Sequence, residues 1–166
     1  MLLITKEEIE TTGDDPLSFI FLFAEKYLAL ISADSTGRIQ QRLSPEQTVL
    51  LAFVTMDNEV SNGGFIQLIE NGYGSYIFNN PLSDYLRDWG ATATALIIDL
   101  ARDIYHDKKE TLEKEKSLEE FAKMYQEHKE FEEIEQQYYA VIESERDIIK
   151  KYMEAHLERF TELAEG

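Results

Sequence analysis

The sequence predicts an all-α fold: a single-domain bundle of about seven helices with a Gly-Gly corner between two core helices. Apolar residues recur at helical spacing along most of the chain, as Leu96, Leu100 and Ile104 illustrate. Two capping boxes, Ser44 to Gln47 and Ser117 to Glu120, mark helix starts. We find no segment of useful length that alternates apolar and polar residues, as a half-buried strand would.

Each predicted helix is placed by its start signal or its apolar face. Asp15 precedes Pro16 as an N-cap precedes a proline in the first helical position. Between the helices we expect an irregular aromatic stretch over 73–78 and a charged connector over 106–115. The predicted helical segments, in chain order, are 16–32, 49–59, 65–70, 82–89, 91–105, 117–127 and a region with two apolar stripes, 131–142 and 148–160.

The Gly-Gly corner is predicted where Asn62, Gly63 and Gly64 interrupt an apolar helix. Adjacent glycines permit positive φ and a close approach of backbone segments. Asn62 is expected to adopt the left-handed region or to cap the next helix. Phe65 is expected to enter the core, and Gln67 to satisfy exposed backbone groups. A sharp interhelical corner explains all five residues, and a binding pocket is the alternative.

Length and charge narrow the classes of function. The chain has 166 residues, consistent with one domain over 1–166. It carries 33 acidic and 16 basic residues, a formal net charge of −17. Such a field repels phosphate, so the sequence argues against direct binding of nucleic acid or an anionic membrane and favours a basic protein partner or a cation. The absence of cysteine excludes disulfides and thiolate metal sites, and we predict no cofactor.

The sequence also predicts a cytoplasmic protein without a membrane segment. Its start shows neither a basic region nor a long apolar run of the kind that a signal peptide has. The most apolar stretch, Phe19 to Ile31, contains Glu25 and Lys26 and is shorter than the roughly 18 apolar residues of a membrane helix. We therefore interpret it as a core helix.

Two long segments lack any lysine or arginine, namely 43–86 and 130–145. We call them the base-free segments. Duplex DNA carries one charge about every 1.7 Å of its axis, whereas one carboxylate per helical turn gives about one every 5.4 Å. About three neighbouring rows of carboxylates would therefore be needed to imitate DNA. The candidate partner-binding residues are Asp57, Glu59, Glu130, Glu132, Glu133, Glu135 and Glu143.

Catalytic and metal motifs find little support in the sequence. Asp103 and His106 have the spacing of a metal-ligand pair on one helix turn, but a di-iron bundle needs a second such pair, which the chain lacks. The preferred interpretation of this pair is an ordinary helix C-terminus with a favourable cation. An enzyme or a metal protein is therefore the least favoured function.

The segment around the glycines resembles a known family. It reads Glu59-Val60-Ser61-Asn62-Gly63-Gly64-Phe65-Ile66-Gln67 and continues with Asn71-Gly72-Tyr73-Gly74. This is similar to the Glu-Val-x-Asn-Gly-Gly-Phe-x-Gln signature of a bacterial family whose best-known member is an acidic, all-helical DNA mimic. The similarity runs from about Ser44 to Tyr105 and more weakly to about residue 160, where 134–139 fits an acidic-aromatic segment. The resemblance implies an all-helical fold and binding to a transcription factor in place of its operator.

The leading hypothesis from residues and resemblance together is an acidic protein-interaction module, a DNA mimic that occupies the basic nucleic-acid-binding surface of a DNA-binding regulator. A second hypothesis is an immunity-like inhibitor of a basic toxin or nuclease, which would use the same charge. A structural domain without mimicry is the third. A homodimer is compatible with each of them.

Overall fold

The computed structural model describes residues 3–164, which form ten helices and two short strands. The helices are numbered α1 to α10 and the strands β1 and β2 in chain order. Their bounds are β1 Leu3–Thr5, α1 Lys6–Thr11, α2 Pro16–Ala33, α3 Arg38–Arg42, α4 Pro45–Glu70, α5 Gly74–Phe78, α6 Leu82–Asp88, α7 Thr92–Leu112, α8 Leu118–Glu127, α9 Lys129–Ala155, α10 Leu157–Phe160 and β2 Glu162–Ala164.

The predicted all-α class is confirmed, but the predicted number of helices is wrong. Four short helices, α1, α3, α5 and α10, were not predicted and have only four to six residues each, whereas the predicted segments 49–59 and 65–70 both lie in α4. Such short helices cannot show a helical period in the sequence, so periodicity does not detect them. One of them, α5, occupies the aromatic stretch that was expected to be irregular.

Three of the longer helices extend beyond their predicted bounds. The prediction of a charged connector over 106–115 is wrong for most of that range, because α7 continues to Leu112. Leu112 is fully buried, so its packing in the core holds the last turn, and the nearby Lys116 ammonium donates to its carbonyl at 2.8 Å. The two apolar stripes of the last third lie on one helix, α9, and α4 continues through the predicted corner.

The described ends of the chain meet in a small parallel sheet, in which β1 pairs with β2 and Ile4 faces Leu163. Ile4 is fully buried, and the Tyr27 hydroxyl donates to the Phe160 carbonyl at 2.6 Å. The sequence signal for these strands is weak because each has only three residues.

The core lies where α2, α4, α7 and α9 pack together. Its side chains include buried aromatic residues from each of these helices, among them Phe23, Phe53, Tyr105 and Tyr138. By length and composition alone α2 is long and apolar enough to cross a bilayer. The helix is longer than the apolar stretch that we compared with a membrane helix. Its inner face lies in the core, as expected for a core helix.

Candidate partner-binding surface

The two base-free segments meet in the structure, which the sequence left undecided. Their helices α4 and α9 pack against each other. The Tyr139 hydroxyl of α9 donates to the Val60 carbonyl of α4 at 2.8 Å. The Phe65 amide of α4 donates to the Glu135 carboxylate of α9 at 2.7 Å. Carboxylates from both segments therefore lie on adjoining parts of one surface.

The backbone of α4 changes direction at one residue, Gly64, which has φ 78° and ψ −175°. A residue with a side chain rarely adopts these backbone angles. In addition, a Cβ atom added at Gly64 would lie 2.3 Å from Glu135 Oε1. The helical backbone of α4 is thus broken at a single residue, Gly64, which lies within the predicted Gly-Gly corner. Glycine is required at position 64 both by backbone angle and by the approach of α9.

Side chains from other helices satisfy the backbone groups around the kink. The Glu135 carboxylate accepts from the Phe65 amide, and the hydroxyl of Tyr125 on α8 donates to the Gly63 carbonyl at 2.9 Å. A buried or half-buried polar group without a partner costs about 1–3 kcal/mol. These contacts, together with the one from Tyr139, therefore stabilise a break that would otherwise be unfavourable.

The remaining signature residues have roles other than those expected. Asn62 keeps a negative φ and donates to the Asn58 carbonyl one turn earlier at 2.8 Å, so it neither enters the left-handed region nor caps a new helix. Gln67 does not satisfy backbone groups but donates to the Glu59 carboxylate at 3.1 Å, to which Asn71 also donates. Phe65 is fully buried, as expected.

Asp57 is not part of the exposed acidic surface on which the sequence placed it. It is only 3% exposed. Its carboxylate accepts two hydrogen bonds from Arg146 of α9, at 2.9 and 2.8 Å, and one from the Tyr138 hydroxyl. Burial alone would lower the pKa of Arg146, but the hydrogen bonds and charge of Asp57 raise it. Asp57 therefore joins α4 to α9 and is unavailable to a partner.

Bases from outside the base-free segments form salt bridges with four more of their acids, Glu46, Glu70, Asp84 and Glu130. Glu130 of α9 pairs with Lys108 of α7, and this contact lowers the pKa of Glu130 against the opposing effect of burial. Glu70 at the end of α4 pairs with Lys116 at 3.2 Å. A segment that lacks lysine and arginine can therefore still lie beside positive charges from other parts of the fold.

A further acid of the second segment, Glu145, has a structural role. It is buried, and it accepts a hydrogen bond at 2.8 Å from the Thr94 amide in the first turn of α7. That helix has no side-chain cap from its own N-cap residue, Ala91. A negative charge at a helix N-terminus is favourable, so Glu145 caps α7 from the neighbouring helix.

Glu132, Glu133 and Glu143 are the predicted residues that remain exposed, and the charge of Glu143 acts on Arg146. Within residues 3–164 no salt bridge joins them to a cation. Glu132 and Glu143 lie about 20° apart around α9 and about 16 Å apart along it, and Glu133 lies about 100° further round. Glu59 and Glu135 add two half-buried carboxylates beside this row.

The half-buried Glu135 has a distinct electrostatic environment. Burial raises its pKa most, the neighbouring charge of Glu132 raises it further, and the hydrogen bond from Phe65 opposes both effects. Burial and the charge of Glu135 also raise the pKa values of Tyr125 and Tyr139. The kink therefore lies in a region of negative potential.

Within residues 3–164 the structure does not bring further ligands to the possible metal pair, Asp103 and His106. His106 is not at a helix C-terminus, because α7 runs six residues further, to Leu112. Among residues 3–164 no group of three or more histidine, aspartate or glutamate side chains is arranged to hold a metal ion. The described structure thus offers no assembled metal centre around Asp103 and His106.

Comparison with known proteins identifies the family. A model of the DMP19-like protein family matches residues 41–156. The chain belongs to the DMP19-like family. It is also 30% identical over 153 residues to the DNA mimic protein DMP19 of Neisseria meningitidis serogroup B (strain ATCC BAA-335 / MC58), with 92% of each chain covered. The family model and this relative thus bear out the resemblance seen in the glycine segment, including most of its weaker part toward residue 160.

Sequence reasoning did not single out Tyr125, Tyr139 and Glu145 as parts of this surface and its support. Tyr139 stood in the acidic-aromatic segment that resembles the family, which was its only signal. Tyr125 and Glu145 act on backbone groups far away in the sequence, at Gly63 and Thr94. No local pattern in the chain marks such a contact.

Proposed function

We propose that this protein acts as a DNA mimic in the cytoplasm, occupying the DNA-binding surface of a basic regulator. The observation that carries the proposal is the group of exposed carboxylates on α9, Glu132, Glu133 and Glu143, which form no salt bridge within residues 3–164. Membership of the DMP19-like family and the name of the Neisseria relative support it. The proposed mechanism is competitive occupation, with carboxylates in the places of DNA phosphates.

The geometry suits this role because the acids that hold the fold together are distinct from those that would meet a partner. Asp57 and Glu145 are buried in structural contacts, and Glu130 is paired with Lys108. The exposed carboxylates lie on a long, continuous helix, so their spacing is set before binding. Electrostatic complementarity of this kind accelerates association and makes affinity depend on salt.

The test has two stages. The immobilised protein captures partners from a lysate of the organism that encodes it at low salt, and a salt gradient releases them. A captured DNA-binding protein is then purified, bound to its DNA and titrated with wild-type protein or the triple variant E132Q/E133Q/E143Q. We expect wild-type protein to displace the DNA, and the triple variant to bind the regulator about 3-fold to 100-fold more weakly.

A matched control removes the same charge elsewhere. Glu7, Glu10 and Glu25 are exposed on α1 and α2, and the variant E7Q/E10Q/E25Q should displace DNA as wild-type protein does. Equal losses in both triple variants would show that net charge alone matters and would contradict a defined surface. Capture of a nuclease that is inhibited by the protein would favour the immunity-like hypothesis instead.

A further inference from the structure

Two tyrosines beside the kink expose their rings while their hydroxyl groups are engaged. Tyr125 is 39% exposed and Tyr139 is 43% exposed. Their hydroxyls donate to the carbonyls of Gly63 and Val60 at 2.9 and 2.8 Å. Since the polar end of each side chain is turned toward α4, the part that faces solvent is mainly aromatic ring.

The two rings lie close together and are held in place. The carbonyls on which they end are three residues apart in α4, about 5 Å along a helix. Each ring also packs edge-on against a second aromatic ring, Tyr125 against Phe121 at 5.5 Å and Tyr139 against Tyr138 at 6.0 Å. An incoming group would therefore meet a surface that needs little reordering.

Negative charge adjoins the rings without a cation to balance it. Glu135 lies one helical turn before Tyr139 on α9, and its charge acts on both tyrosines. Glu132 lies one turn earlier again and acts on Glu135. Among residues 3–164 the cation–π contacts are elsewhere, from Lys109 to Tyr105 and from Lys150 to Phe19. We call Tyr125, Glu132, Glu135 and Tyr139 the kink patch.

We propose that the kink patch binds an arginine side chain of the basic partner, an inference that rests on the proposed function. A guanidinium group stacks on aromatic rings and forms paired hydrogen bonds with a carboxylate, whereas a lysine ammonium is a strongly hydrated point charge. Rings and carboxylates together thus select arginine over lysine. Carboxylates outside the kink patch, as at Glu133 and Glu143 of α9, attract both kinds of base.

The experiment compares oligo-arginine and oligo-lysine peptides of equal length, measured by fluorescence anisotropy at one ionic strength. Each exposed ring is expected to favour arginine by about 2-fold to 5-fold, so wild-type protein with two rings should prefer the arginine peptide by about 4-fold to 25-fold. The variant Y125L/Y139L should bind both peptides with similar affinity. Y125F/Y139F keeps the rings but not the hydroxyls and should retain most of the preference.

Tyr73 and Tyr76 supply the control, since they are 37% and 41% exposed and lie outside the kink patch. The variant Y73L/Y76L should keep the full preference. Circular dichroism establishes that each variant is folded. In wild-type protein, without any substitution, NMR measures the shifts of the tyrosine ring resonances as N-acetylarginine amide is added. Unshifted rings at positions 125 and 139, or a preference that survives Y125L/Y139L, would overturn the proposal.

This result is separable from the test of the proposed function. Loss of arginine preference in Y125L/Y139L combined with failure to displace DNA from any regulator would keep the patch and reject the mimic. Displacement of DNA by Y125L/Y139L as strongly as by wild-type protein, with wild-type protein itself binding the two peptides equally, would keep the mimic and reject the patch.

Discussion

Two ends of the α4–α9 contact use a carboxylate in opposite ways. At one end Asp57 is buried and shares two hydrogen bonds with Arg146, so its charge is balanced inside the protein. At the other end, two helical turns further along α4, Glu135 accepts the Phe65 amide at 2.7 Å. No cation within residues 3–164 forms a salt bridge with Glu135, and its pKa is raised.

The difference shows how an acidic protein divides its carboxylates. A buried carboxylate needs a cation, as Asp57 has in Arg146, or backbone donors, as Glu145 has at the N-terminus of α7, because an unbalanced charge in the interior is strongly unfavourable. A half-buried one can be held by backbone dipoles and still contribute negative potential to the surface. The Asp57 end therefore holds the helices together, and the Glu135 end both supports the kink and remains available to a partner.

The largest expected effect comes from breaking the balanced end. Arg146→Ala leaves the Asp57 charge buried without its cation and should lower the free energy of unfolding by about 3–5 kcal/mol. Urea denaturation followed by circular dichroism measures it. Adding Asp57→Asn to that variant should recover part of the loss, because the uncompensated charge is then gone. A double variant no more stable than R146A would argue against charge as the cause.

The next effect tests the kink. Gly64→Ala forces a side chain into backbone angles that cost about 1–3 kcal/mol, and it also displaces the Glu135 carboxylate. Gly72→Ala is the matched control, since Gly72 has φ 86° but open space around its Cα. Thermal unfolding should show a larger loss for G64A than for G72A. Equal losses would mean that the approach of Glu135 to the kink contributes nothing.

A smaller effect is expected at Glu135 itself. Glu135→Ala leaves the Phe65 amide without an acceptor and should cost about 1–3 kcal/mol. Glu135→Gln keeps an oxygen for that amide and removes the half-buried charge, so its loss should be clearly smaller. Urea unfolding of both variants at neutral pH measures the difference. If E135Q loses as much as E135A, the interaction depends on charge and not on the hydrogen bond.

Wild-type protein and E135Q together test the direction of the pKa shift of Glu135. Because the folded-state pKa of Glu135 lies above the ordinary glutamate value of about 4.3, the folded state holds more protons than the unfolded state between these two values. Stability of wild-type protein should therefore fall relative to E135Q as pH rises through that window, and the difference should level off above it. Parallel stability curves across the window would contradict this assignment.

The smallest effect on stability is expected from the exposed row. E132Q/E133Q/E143Q should change the free energy of unfolding by only about 0.5 kcal/mol per residue or less, because these side chains are exposed and form no salt bridge within the described structure. The same variant is expected to have the largest effect on partner binding. Thermal unfolding beside the DNA-displacement assay thus shows whether structural and partner-facing acids are distinct groups.

Much of the fold was open to prediction from the sequence because it depends on local signals. The capping boxes at Ser44 and Ser117 and the proline start of α2 are all present as predicted. These signals involve residues three or four positions apart, which the sequence displays directly. The short helices and the three-residue strands escaped prediction because they are too brief to show a period.

The candidate site, like the fold, was predictable only where local sequence signals define it. The acidic composition, the base-free segments and the glycine signature were visible in the chain, and Glu132, Glu133 and Glu143 proved exposed as a partner surface requires. The fates of Asp57 and Glu130 were not visible, because Arg146 and Lys108 reach them from distant parts of the chain.

By itself, therefore, the sequence determined the helical class, most helix starts, the net charge of −17 and the glycine at the kink. The tertiary structure decided which carboxylates are balanced, which support backbone groups and which face solvent. The physical reason is one of range. Caps and periodicity act between neighbours along the chain, whereas the energy of a charge depends on burial and on cations that only the packing of α4, α7 and α9 brings near.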